Sequence, residues 1–187
     1  MANKDSAFGL RPIGKVGQNR DNQGLSEYDI AASASAIYQN DPVEMAATGT
    51  ITVAAATDTL LGSLTGVFFT DASTSKPTFA NHLDASNTAT DIKGFVADDP
   101  YERFEIQSDD ATAAADVGLN ADIVYAAGSS PNYVSKVELD HSDLKTATAQ
   151  LRVLAISKDI ENNEAGSANV NLVVMINEHF LKGTTGI

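Results

Sequence analysis

Apolar and polar residues alternate in short segments along most of the chain, with the period of two that is typical of half-buried strands. In the segment 49–54, Ile51 and Val53 alternate with threonines, and in 103–107, Phe104 and Ile106 alternate with charged or amide side chains. Turn-forming Asn, Asp, Gly and Pro separate these segments. The pattern predicts strands at 26–31, 42–46, 49–54, 64–70, 94–97, 103–107, 122–126, 133–139, 150–157 and 169–177.

Little of the chain has a helical pattern. The segment 110–118 is predicted to be a short helix, with Asp110 as its N-cap and Gly118 just beyond its end. A second segment, 143–149, is predicted to be either one helical turn or a loop. Because strands do not alternate with helices, a parallel α/β sheet is not expected. The sequence therefore predicts an all-β fold, an antiparallel β-sandwich or β-barrel with one or two short helices.

The same alternation selects a set of residues for the core of this β body, which we place at residues 25–187. The predicted core residues are Val53, Phe68, Phe95, Phe104, Ile106, Val124, Leu151, Val153, Val173 and Met175.

Residues 1–24 are predicted to form an extended N-terminal arm that differs from the body in charge. The first twenty residues carry a formal charge of +3, whereas the rest of the chain carries −16. Apolar residues are spaced along the arm, but they have too little periodicity to fold alone. We predict that the arm binds a partner, by strand addition to a groove. The alternatives are a disordered terminus and a strand of the chain's own body. The candidate partner-binding residues are Phe8, Leu10, Arg11, Ile13, Lys15, Val16 and Arg20.

The composition limits the classes of site and partner. The chain has no cysteine, which excludes disulfides, thiolate zinc sites, iron–sulfur clusters and cysteine nucleophiles. No apolar run approaches the roughly 20 residues that cross a bilayer, and residues 1–20 lack the apolar segment of a signal peptide. We therefore expect a soluble protein without a membrane partner. A formal net charge of −13 argues against nucleic acid, because phosphates would be repelled from most of the surface.

Motifs for catalysis or cofactor binding are not found in the sequence. It has neither of the glycine-rich phosphate loops nor a serine elbow, and His82, His141 and His179 lie far apart. We predict no cofactor, no metal site and no enzymatic activity. The acidic pairs at 98–99 and 109–110 are predicted to be ordinary turn and cap residues, and a calcium-binding loop is the alternative.

Several segments resemble a known family. They are the opening MANKD with FGLRPIGKVG, the stretch ADVGLNADIVYAAGSS, and the pairing of KVELD with QLRVLAISKDIENNEAG and VNLVVMINEHF. Together they are similar to head decoration, or cement, proteins of tailed bacteriophages, especially marine phages. The resemblance spans most of the chain, and its motifs are structural.

The resemblance implies a function without catalysis. It implies a β-rich body, usually a homotrimer, which is made in the host cytoplasm and binds the outside of the capsid. There it would hold neighbouring major capsid subunits together. The alternative is another virion component: a neck or tail protein, or a module that binds host glycans. A glycan binder should present clustered exposed aromatic side chains, and a chain with no Trp and 6% aromatic residues argues against it.

Overall fold

The computed structural model describes residues 2–17 and 24–183, and the regular structure in them is almost entirely β-strand. The strands are β1 (Arg11–Lys15), β2 (Ser26–Asp29), β3 (Pro42–Met45), β4 (Ile51–Val53), β5 (Leu60–Thr70), β6 (Pro77–Ala80), β7 (Lys93–Ala97), β8 (Glu102–Gln107), β9 (Asn120–Ala121), β10 (Ile123–Val124), β11 (Glu138–Leu139), β12 (Leu151–Ile156) and β13 (Asn171–Ile176).

Helical structure in the described part of the chain is limited to three 3₁₀ turns, Ala114–Asp116, His141–Asp143 and Phe180–Lys182. The first lies inside the predicted helix 110–118, and the second ends where the predicted turn 143–149 begins. Neither segment continues into an α-helix, because each is too short to stabilise one without packing.

The strands form two main antiparallel sheets. Sheet A has the strand order β1-β8-β13-β12-β9. Sheet B has the order β2-β7-β5-β3-β4, with β6 also paired to β5, and β10 and β11 form a separate ribbon. The all-β prediction is confirmed, and of the two predicted architectures the sandwich is observed, since the sheets pack together without closing into a barrel.

Two clusters of buried apolar side chains stabilise the sandwich. The first joins sheet A, through residues such as Phe104 and Leu151, to Leu60 and Ala97 of sheet B. The second joins sheet B to the connections that carry Ile37 and Leu83. Four of the predicted core residues, Phe104, Ile106, Leu151 and Val153, are buried in the first cluster, as expected.

The predicted core face of β13 is wrong. Val173 and Met175 are only half-buried, whereas Leu172, Val174 and Ile176 are buried. The strand reads NLVVMI and is apolar on both faces, so alternation alone does not identify the buried one. The two predicted residues instead lie on the outer face of sheet A.

The remaining core predictions are met in part or not at all. Val53 is half-buried and packs against the second cluster. Phe68 and Phe95 are half-buried, and Val124 is exposed. Phe95 and Ala97 share one face of β7 because side chains alternate along a strand. Ala97 is buried in the core between the sheets, whereas Phe95, two residues before it on the same face, is only half-buried.

The described part of the predicted arm, residues 2–17, belongs to the β body. β1 pairs with β8 along the edge of sheet A, and Leu10 is buried in the core between the sheets. Near the terminus, the Asn3 amide donates hydrogen bonds of 3.1, 3.3 and 3.0 Å to the carbonyl groups of the loop at 164–168. The prediction of a separate arm over 1–24 is therefore wrong for residues 2–17: β8 has an open edge that needs a partner, and this segment provides it. Residues 18–23 lie outside the described residues.

Candidate partner-binding face

Three of the predicted partner-binding residues are held by the chain's own body. Leu10 is buried. Phe8 is half-buried, with the guanidinium carbon of Arg11 4.6 Å from its ring centroid. Lys15 forms an ion pair of 2.6 Å with Asp99. The hydrogen bond in this pair raises the pKa of Lys15 and lowers the pKa of Asp99. These three side chains therefore already make contacts within the chain.

Three others remain exposed and line the same groove. Ile13 is 41% exposed and Val16 is 48% exposed. Arg11 lines the groove beside them. The seventh residue, Arg20, lies outside the described residues. The structure therefore brings Arg11, Ile13 and Val16 together at one surface, on the edge strand β1 and directly after it.

This groove is an open depression of about 770 Å³ on the outer face of sheet A. Its floor is apolar and includes Val173, Leu154 and Ile156. Lys158 and Asp159 lie at its rim on the loop after β12. The half-buried residues of β13 that were expected in the core are thus part of an exposed surface.

One cross-strand row in the groove is neutral. The strand registers place Arg11 opposite Glu105, and Glu105 opposite Val173. The buried Glu105 carboxylate accepts hydrogen bonds from the Arg11 guanidinium and from the hydroxyl of Ser157. The charge of Arg11 is therefore balanced inside the chain.

The next row along the same face is cationic. Arg103 on β8 lies opposite Met175 on β13, and Met175 lies opposite Arg152 on β12. Both arginines are exposed. Arg103 makes no hydrogen bond or ion pair with another described residue. Arg152 donates from Nε to the Asn120 amide oxygen at 3.0 Å, and it forms no ion pair within the described residues. We call Arg103, Met175 and Arg152 the arginine row.

All three described arginines lie on this one face, although the whole chain has a formal net charge of −13. A further cation, Lys182, lies near the Arg152 end of this face. Burial lowers the pKa of Lys182, and the positive charge of Arg152 lowers it further. The charge of Asp99 opposes this shift only in part. The arginines give the face positive charge, which is complementary to an acidic partner.

A second exposed surface lies on sheet B, and we call its residues Phe68, Phe79 and Phe95 the aromatic strip. Phe79 is 74% exposed. Its ring centroid lies 4.9 Å from that of Phe68 and 6.0 Å from that of Phe95. Beside the strip, Lys93 forms ion pairs of 2.7 Å with Asp29 and 3.3 Å with Glu27. The strip is thus apolar, with a charged border at one end.

The side chains considered for metal or catalytic chemistry have structural partners. The ring of His82 stacks on Tyr133 with centroids 3.8 Å apart. His179 is buried, and its Nδ1 accepts the Leu181 N–H at 3.1 Å. The Nδ1 of His141 shares a hydrogen bond of 3.2 Å with the Thr112 hydroxyl.

The acidic pairs have ordinary roles as well. Asp98 accepts a hydrogen bond of 2.7 Å from the Tyr28 hydroxyl. Asp99 accepts the Tyr101 N–H at 2.8 Å and pairs with Lys15. Among the residues that the structure describes, no group of three or more acidic or histidine side chains is placed to hold a metal ion.

Sequence analysis missed the residues that give this face its charge. Arg103 alternates with the buried Phe104, so its outward direction could have been deduced from the sequence. Its position beside Met175 and Arg152 depends on the strand order, which alternation does not reveal. Phe79 was also missed, because it lies in a four-residue strand bounded by polar loops.

Comparisons with protein-family models, with curated proteins and with solved structures gave no match for this chain. In the described residues, no helix has the length and apolar character needed to cross a membrane.

Proposed function

We propose that this protein is a virion structural protein of the capsid decoration, or cement, class. In this role it binds the outside of a phage head and stabilises contacts between major capsid subunits, without catalysis and without a cofactor. One observation carries the proposal: every described arginine lies on one partly apolar sheet face of a strongly acidic chain. The sequence resemblance to decoration proteins supports the same role.

The energetics of such a face suit repeated binding on a shell. Exposed ion pairs contribute roughly 0–1 kcal/mol each and are weakened by salt. Each apolar side chain that becomes fully buried contributes roughly 1.5–3 kcal/mol. A single contact through Ile13, Val16 and the arginine row is therefore modest. Many copies on one closed particle would together stabilise it strongly.

We propose in addition that the protein is a homo-oligomer, with a homotrimer as the expected state. The resemblance implies a trimer. The aromatic strip supports self-association, because Phe79 is a large apolar side chain that the chain itself leaves exposed. Its burial against a neighbour would remove aromatic surface from water.

The test of the proposed function is the number of copies on purified particles, measured by quantitative mass spectrometry and by cryo-electron microscopy. A decoration protein is present in numbers comparable to the major capsid protein, and its density lies on the outer surface of the head. Adding it to heads that lack it should raise their unfolding temperature, because a ligand that binds only the assembled state stabilises that state. Absence from the head surface would refute the proposal.

The second candidate is a neck, tail or host-glycan-binding component of the virion. The aromatic strip favours it in one respect, since its clustered rings, with Phe79 exposed, offer the kind of aromatic surface on which a sugar can pack. A few copies per particle, located at the neck or tail, would support this candidate over decoration. Binding of a host polysaccharide that is lost in Phe79→Ala would identify the glycan-binding form of it.

A further inference from the structure

The arginine row has a defined spacing. It crosses three adjacent strands, β8, β13 and β12, so its two arginines are two strand spacings apart. Neighbouring strands lie about 4.8 Å apart, which places the two Cα atoms about 10 Å from each other. The half-buried Met175 lies between them on the same face.

The two guanidinium groups are available to a partner, whereas that of Arg11 is not. Arg11 is already paired with Glu105. Within the part of the chain that the structure describes, Arg103 forms no hydrogen bond or ion pair, and its charge acts on Glu102 only from a distance. Arg152 donates only to an amide oxygen. A guanidinium group can form two parallel hydrogen bonds with one carboxylate, which makes such pairs strong and directional.

We infer that the arginine row binds an extended acidic segment of a partner protein, with carboxylates four residues apart and an apolar side chain midway between them. The inference rests on the proposed docking function, because it names the kind of segment that the same face takes. In an extended segment, side chains two residues apart share a face and lie about 6.7 Å apart. Carboxylates four residues apart are therefore about 13 Å apart, a distance that two splayed arginine side chains can reach. The central apolar residue then lies over Met175.

The chain's own acidic loop fits this row less well than a partner segment. Ile160 is 89% exposed and lies between Asp159 and Glu161. These two acids are only two residues apart, and in an extended segment their side chains would point away from the face that carries Ile160. In addition, Asp159 accepts hydrogen bonds from Asn171 and from the Glu161 N–H. A second copy is thus a poorer occupant than a segment with the wider spacing.

The probe for the test is the synthetic peptide Thr-Glu-Thr-Val-Thr-Glu-Thr, carrying a fluorophore, with binding measured by fluorescence anisotropy at low and high salt. One control peptide has both Glu replaced by Gln. The other, Thr-Glu-Thr-Glu-Thr-Val-Thr, has the same composition with the acids two residues apart. We expect the first peptide to bind at least about tenfold more tightly than either control. High salt should weaken its binding.

Protein variants locate the binding site. Arg103→Ala with Arg152→Ala should weaken binding of the first peptide by at least about tenfold. The matched control is Lys76→Ala with Lys136→Ala, which removes the same charge from exposed positions elsewhere and should leave binding unchanged. Equal thermal unfolding temperatures would show that both pairs of substitutions leave the fold intact.

Several results would overturn the inference. They are no binding of the first peptide, equal binding of the peptide with the narrower spacing, or equal losses in the arginine and lysine variants. Tighter binding of a single-stranded oligothymidine through the same arginines would show that the row recognises phosphates instead. If the peptide lowers the molecular mass of the protein measured by light scattering, the row binds a second copy of the chain instead of a partner, which would also overturn the inference. If these tests fail while the protein still decorates heads, only this inference is lost. If the peptide binds as expected but the protein is absent from heads, the proposed function fails instead.

Discussion

Two buried titratable side chains lead us to a specific prediction about how the free energy of unfolding depends on pH. Asp41 is 0% exposed, and its Oδ2 accepts the Tyr38 N–H at 2.8 Å, while Oδ1 has no hydrogen-bond partner among the described residues. Burial raises the pKa of Asp41 to about 6, and the nearby Ser135 hydroxyl and Tyr38 N–H oppose this only in part. His179 is 2% exposed, and burial lowers its pKa to about 4, aided by the charge of Lys182.

The two groups have opposite effects between about pH 4 and pH 6.5. Asp41 ionises more readily in the unfolded chain, whose reference pKa is 3.8, so its contribution to stability is lost as pH rises towards 6. His179 takes up a proton more readily in the unfolded chain, whose reference pKa is 6.5, so its contribution is lost as pH falls towards 4. Each unit of pKa difference corresponds to about 1.4 kcal/mol, so each group changes the free energy of unfolding by about 3 kcal/mol.

In the native protein these two changes nearly cancel. We expect Asp41→Asn to remove the Asp41 effect, so that the free energy of unfolding rises by about 3 kcal/mol between pH 4 and pH 6.5 relative to the native protein. His179→Asn should produce the reverse slope of similar size, and the double variant should match the native slope. An asparagine oxygen can still accept the hydrogen bond that each side chain accepts now.

The assay is urea unfolding followed by circular dichroism at several pH values, with protein concentration held constant because association would shift the apparent stability. The slope with pH is the measured quantity. A constant cost of substitution changes every point equally, and the other carboxylates contribute the same background to all four proteins. The reasoning is refuted if Asp41→Asn and the native protein have parallel pH profiles.

Four further predictions test the fold and the second surface. Phe104→Ala should cost about 3–5 kcal/mol in urea unfolding, since the ring is buried; a loss below about 1 kcal/mol would place the ring at the surface. Gly9→Ala should destabilise much more than Gly17→Ala, because both have positive φ but only at Gly9 would an added Cβ overlap the carbonyl oxygen of Asn40; equal unfolding midpoints would contradict this. Phe79→Ser should lower the molecular mass measured by light scattering if the aromatic strip joins copies of the chain, and an unchanged oligomer mass would exclude that interface. Deleting residues 2–17 should abolish cooperative unfolding, because it removes β1. A deletion variant that folds as stably as the native protein would instead show that this segment is a separate arm.

Fold class was predictable because the alternation of side chains is a local property. Arg103 and Glu105 alternate with Phe104 and Ile106, and this pattern correctly identified both the strand and its buried face. For β13, however, alternation does not identify the buried face. Its residues are apolar on both faces, and only the packing of sheet A against the rest of the chain determines that Val174 is buried.

The candidate site was only partly predictable, because it depends on which strands are neighbours. Sequence analysis selected Arg11, Ile13 and Val16 from their basic and apolar character, and all three line the groove. It could not place Met175 between Arg103 and Arg152, since these residues are up to 72 positions apart in sequence and meet only through strand order. The use of β1 as a strand of the body was one of the open alternatives, and local composition did not decide it.

The structure also bears on how a partner can use β1. An edge strand can add a strand from another protein only if its backbone groups are free and regularly spaced. Pro12 has no N–H, the register with β8 breaks between Pro12 and Gly14, and the Gly14 N–H already donates to the Glu102 carboxylate at 3.0 Å. These features block the edge against strand addition, which the sequence had suggested as the binding mode. A partner that contacts β1 must therefore bind through side chains on the sheet face, where Ile13, Arg103 and Arg152 are exposed.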